Sequence, residues 1–154
     1  MNAQSVIVGS PQDWVAALPV YQQELLQPLI RDGDYASAAA TWLNSSGPSD
    51  NAPYGGLRAG ANLFYVKLLE QIHTLLCTSN GYTQERTELL QQAQAGRSVL
   101  ITFLAGAVAP HVGASPALLA PAIALTLALV NNAGSDMICA TLKDLINDRS
   151  DESS

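Results

Sequence analysis

The sequence predicts an all-α fold: a single irregular or orthogonal bundle of about six helices around a central apolar helical hairpin. Three observations predict it. Ala occurs 23 times in 154 residues and aromatics make up only 6%, a composition that favours helix. Apolar residues recur at spacings of three and four, and period-2 alternation is nearly absent. Residues 98–135 contain no Asp, Glu, Lys or Arg, so a charge-free segment lies inside a chain of net charge -6. Leu, Ile, Val and Phe together number 40, enough for the core of one domain.

Ser10-Pro11-Gln12-Asp13 starts the first helix, with Ser10 as N-cap, Pro11 in the first turn and Asp13 at the positive helix end. Pro19 ends it. A second helix follows from about Val20 to Arg31, bent at Pro28, with Tyr21, Leu25, Leu26, Leu29 and Ile30 as its apolar residues. Gly33 takes the left-handed stop and Asp34 caps a third helix, Tyr35 to about Leu43. The string from Gly33 to Ala39 resembles the second helix of a tetratricopeptide-type hairpin. The likeness covers about ten residues and has no second copy at the spacing of about 34 that an array needs, so this is an ordinary helical hairpin.

Residues 44–56 form a loop with three glycines and two prolines. The helical body then runs over 57–147. Leu57 to Thr78 carries the stripe Leu57, Ala61, Phe64, Leu68, Ile72 and Leu75. Ser79-Asn80-Gly81 stops it. Thr83 caps a helix read as continuous to Ala109, amphipathic first and apolar all round from Val99. Pro110 to Pro116 is a turn. Ser115 caps an apolar helix from Pro116 to Val130, and Ser135 caps the last, Asp136 to about Asn147. Residues 1–9 read as an extension whose Val6-Ile7-Val8 is the one β-leaning triplet, and 148–154 as a disordered acidic tail.

The two apolar stretches, Val99 to Ala109 and Pro116 to Val130, are each shorter than the roughly 20 residues that span a bilayer. They read first as a buried hairpin. A cryptic membrane-inserting hairpin with His111 at its tip, or the wall of an apolar pocket, are the other readings.

Candidate chemistry is sparse. Glu70 and His73 have the i, i+3 spacing of a di-iron carboxylate helix, but the pattern needs a second copy, and position 108 is valine. His73 and Cys77 share a helix face and can begin a zinc site that Cys139 and His111 would have to complete. Cys77 and Cys139 read instead as small buried hydrophobes. Gly113-Ala114-Ser115-Pro116-Ala117 falls short of a nucleophile elbow, because no strand precedes it. With Lys67 and Lys143 as the only lysines and no phosphate-loop motif, phosphate and nucleic-acid grips are not expected. Arg58 and Arg97, each flanking an apolar helix, are the arginines placed to meet an acid. Thirteen carboxylates are too sparse for a DNA mimic.

The Asn44-Ser45-Ser46 acceptor pattern has no secretory signal before it. Met1 to Ser10 has no Lys or Arg and no apolar run long enough for a signal, so the expected setting is cytoplasmic with reduced cysteines. The expected function is a non-catalytic interaction module, an adaptor, immunity or effector-associated subunit, with no cofactor and no metal. It would act on a protein partner or as a homo-oligomer. The expected partner-facing residues are Trp14, Tyr21, Trp42, Tyr54 and Arg58, with Trp14 and Trp42 reading equally as core residues of the N-terminal hairpin (residues 11–43). The alternative is a carrier of an apolar small molecule or lipid, with a pocket walled by Phe64, Leu68, Phe103 and Leu104.

Overall fold

A computed structural model describes residues 9–30, 33–46, 56–132 and 137–153, with side chains placed for all of these but 44–46, 56–63, 132 and 150–153. Every element among them is helical. In chain order they are α1 (Pro11–Ala16), α2 (Val20–Leu26) with a 3-10 turn at Gln27–Leu29, α3 (Tyr35–Ser46), α4 (Gly56–Cys77), α5 (Thr83–Ala95), α6 (Arg97–Val112), α7 (Pro116–Asn132) and α8 (Ile138–Ser153).

The expected caps are formed. The amide of Asp13 donates to Ser10 Oγ at 3.3 Å and the amide of Ser10 donates to Asp13 Oδ2 at 2.9 Å, a reciprocal capping box. Gly33 is left-handed, and the amide of Ser37 donates to Asp34 Oδ1 at 3.1 Å. The amide of Leu118 donates to Ser115 Oγ at 3.3 Å at the start of α7.

The described helices number eight rather than about six. The helix expected to run from Thr83 to Ala109 is two, because Gly96 takes φ +133° between α5 and α6, a conformation that L side chains rarely adopt. At the next junction the terminator is also a glycine. α6 continues through Pro110 and stops where Gly113 turns left-handed, its amide donating to Ala109 O at 2.9 Å. Tyr82, not Thr83, occupies the N-cap of α5. α8 runs on to Ser153, past Asn147 and through the stretch read as an acidic tail. Val6-Ile7-Val8 lies outside the described residues.

α7 is the centre. From Leu119 to Val130 its side chains are buried or, at Ala120 and Leu129, half-buried. α1, α3, α6 and α8 pack around it, and α4 closes the layer by packing on α3, α6 and α8. An uncharged helix apolar on all sides has to be sheathed in this way in water. No single described helix is long and apolar enough to cross a membrane; α6 and α7 pass that test only as a pair, bent by 115°.

Two polar contacts register this packing. The Trp42 indole N–H on α3 donates to Leu118 O at 2.9 Å. In the interior, Thr126 Oγ1 donates to Ala122 O at 2.8 Å, which uses its one hydrogen. The fully buried Tyr65 hydroxyl, 2.9 Å from Thr126 Oγ1, is therefore the donor in that bond. Burial pushes the Tyr65 phenol up to about 12, so it keeps the proton it donates.

The two partners are not equivalent. Thr126→Val strands a buried O–H donor and is expected to cost about 1–3 kcal/mol, whereas Tyr65→Phe leaves Thr126 bonded to Ala122 and costs about 1 kcal/mol. Urea midpoints of the two variants check this. A larger loss for Tyr65→Phe than for Thr126→Val contradicts the donor assignment.

Candidate functional site

α2 is a seven-residue helix held by polar contacts on its inner side. Gln23 Nε2 donates to Ala16 O at 3.2 Å and to Leu18 O at 2.7 Å, satisfying carbonyls at the end of α1. Gln22 and Leu26 are buried. These anchors set the rotation of the helix and turn Tyr21 and Leu25 outward. Val20 is 68% exposed, Tyr21 64% and Leu25 54%, the three most exposed large hydrophobic residues among those described. Glu24 is exposed on the same helix, and Pro19 and Pro28 are exposed at its two ends.

The other expected partner-facing aromatics are elsewhere. Trp14 is fully buried in the core, which corrects its partner-facing reading in favour of the core one. The Arg97 guanidinium carbon lies 5.6 Å from its ring centroid, and Arg97 Nη2 is 3.7 Å from Asp13 Oδ2. Together these cover the indole from outside. The hydrogen bond from the Ser10 amide, with the Ser10 hydroxyl and Arg97 beside it, holds the Asp13 carboxyl below its usual range. Trp42 is half-buried and spends its indole N–H on α7, so it too serves packing. Tyr54 and the side chain of Arg58 lie outside the described residues. Of the five expected positions, the structure leaves Tyr21 on the surface and surrounds it with Val20 and Leu25.

Of the proposed pocket residues, Leu68 and Leu104 are fully buried in the hydrophobic core, while Phe64 and Phe103 are half-buried against it. All four belong to one continuous apolar cluster.

The cysteines carry the main correction. Cys77, the last residue of α4, and Cys139, near the start of α8, form a disulfide with a Cα–Cα distance of 5.8 Å and a sequence separation of 62. They are neither reduced core residues nor half of a zinc site. The long α4–α8 packing brings the two helix ends together, and nothing in the spacing of the cysteines shows it. His73, one turn before Cys77, is half-buried. Burial, with the Lys143 charge adding to it, pushes its imidazole below the usual histidine range. Among the described residues, no three His, Cys, Asp or Glu side chains are grouped to hold a metal ion.

Beside the disulfide, Arg86 of α5 reaches back to the end of α4. Its guanidinium donates to Leu75 O at 3.0 Å, Thr74 O at 2.9 Å, Gly81 O at 2.8 Å and Asn80 O at 3.3 Å. One planar five-donor group thus serves two carbonyls in the last turn of α4 and two in the turn that follows it. Tyr82, left-handed at φ +48°, donates to Gln71 Oε1 at 2.5 Å and meets the exposed His111 ring edge-on at 5.0 Å. Sequence reasoning did not single out Arg86. Its signal is a lone cation one turn into a helix that follows a Ser-Asn-Gly stop.

The described geometry therefore offers a rigid, disulfide-tied bundle and one exposed apolar helix face. No family model, curated protein or solved structure matches the chain.

The disulfide closes a loop of about sixty residues, for which chain entropy gives about 4 kcal/mol of stability. The Cys77→Ser/Cys139→Ser double variant is expected to lose that amount in guanidinium unfolding, and reductant to have no effect on it. A wild type equally stable with and without reductant contradicts the bond.

Proposed function

We propose that the protein is a non-catalytic interaction module that binds a protein partner through the outer face of α2. The observation that carries this reading is the concentration of exposed apolar side chains on one short helix. Val20, Tyr21 and Leu25 are more exposed than Leu90, Val99 or Met137, which are scattered over α5, α6 and the approach to α8. A grouped apolar patch on an otherwise polar element is what marks a contact surface, whereas single exposed hydrophobics are ordinary. Tyr21 suits an anchor, since a phenol brings large apolar area with one polar tip and few rotors.

An adaptor, an immunity protein or an effector-associated subunit would each use such a face. The disulfide supports a setting in which thiols oxidise, in place of the reducing cytoplasm expected from the cysteine count.

Photo-crosslinking tests the reading. Benzoylphenylalanine in place of Tyr21, irradiated in the producing cells, is expected to give a discrete heavier adduct that Leu25→Ser removes. The same residue at exposed Gln91 on α5 is expected to give none. Equal adducts from both positions, or no adduct at position 21, contradict it.

A further inference from the structure

The α2 face is not uniformly apolar. At about 100° per residue, Val20, Glu24, Tyr21 and Leu25 follow one another around the helix at roughly 0°, 40°, 100° and 140°. Glu24 thus stands inside the apolar arc, between Val20 and Tyr21, and not on its rim. It is exposed and makes no ion pair among the described residues. Among the described residues from Ser10 to Leu43 the charged side chains are Asp13, Glu24 and Asp34, all exposed; Arg31 and Asp32 lie outside the described residues. Asp13 is engaged by Arg97, and residues 1–56 carry five carboxylates against one arginine, so the sequence around α2 is net negative.

We propose that the α2 face binds a basic amphipathic helix of a partner protein, one that sets a Lys or Arg against Glu24 and apolar side chains against Val20, Tyr21 and Leu25. This rests on the reading of α2 as the contact surface and adds the chemistry of its occupant. Charge decides between occupants. A second copy docking α2 on α2 about a two-fold axis would place Glu24 close to its own counterpart, between two chains that each carry -6. Covering Glu24 with a purely apolar segment would desolvate a carboxylate without a partner. A cation flanked by apolar groups satisfies Glu24 and buries its neighbours in one contact, and the net negative charge steers it in.

The test uses the full chain and two synthetic probes: an amphipathic Leu/Lys helix and its twin with Glu in place of Lys. Binding is followed by fluorescence anisotropy, and the contact is mapped by amide chemical shifts. The Lys peptide is expected to bind and to shift the amides of residues 20–27, and the Glu twin not to bind. Glu24→Lys and Leu25→Ser are each expected to weaken the Lys peptide by about tenfold or more, roughly 1.4 kcal/mol. Asp144→Lys, an equal charge change at an exposed site on α8, is expected to stay within about twofold. All three substitutions are at exposed positions, so folding is retained, and the spectra verify it.

Asp144→Lys weakening the peptide as much as Glu24→Lys would overturn the proposal in favour of a diffuse field. Binding of both peptides, with loss of both in Leu25→Ser, would overturn the basic occupant and leave the contact surface standing. Shifts in α2 that follow the protein's own concentration would point to a second copy instead. No shift in α2 with either peptide would overturn the proposal, and the crosslink at position 21 would then judge the surface separately.

Discussion

The rest of the fold depends on one constraint: α7 cannot face water on any side. A polar helix face can serve as the outside of a bundle, but a segment without a charge from Leu119 to Val130 has no such face. Four helices are therefore recruited around it, and α4 packs over three of them. The hydrophobic effect supplies the drive but not the register, because apolar surfaces slide over one another at little cost. The register comes from a few directional contacts at the edges and one inside: Trp42 on Leu118 O, Tyr65 on Thr126, and the caps at Ser10, Asp34 and Ser115.

The far end of the bundle is held differently. α4 is the longest helix, and its terminal carbonyls end beside a tight turn. Arg86 satisfies them with charge-assisted bonds, which are stronger than neutral ones. The disulfide then joins the same end to α8, so that α5, α6 and α7 lie inside a covalently closed loop. The charge-free segment is thus enclosed by packing on its sides and by a covalent tie at its base. α2 stands outside that closed loop. It is short, it is tied to the end of α1 by the Gln23 side chain, and among the described residues no element covers its outer face, which suits it to carry a contact surface without weakening the core.

The helical class, the central apolar pair and most helix starts were legible because they rest on local chemistry. Ser10, Gly33, Asp34 and Ser115 act within three residues of themselves, and sequence shows such neighbours directly. The split at Gly96 was not legible, since a single glycine within a helical pattern is tolerated as often as it breaks one. The candidate surface was half legible. Tyr21 stands out in the sequence, but Trp14 and Trp42 read as well for the surface as for the core, and whether an aromatic lies inside or outside is decided by tertiary packing. For α2 the same limit applies in reverse. Leu25 and Leu26 are equally apolar, and the bonds from Gln23 to the end of α1 decide which one faces outward. The disulfide joins residues 62 apart in sequence, a distance over which pattern carries no information.

Native-state hydrogen exchange tests the central claim most directly, that the charge-free helix is the sheathed core and α2 an outlying element. The account predicts that α7 amides between Leu119 and Val130 exchange only through global unfolding, at the full unfolding free energy, while α2 amides exchange through local opening at far lower cost. Exchange of α7 at or below the protection of α2 would contradict it.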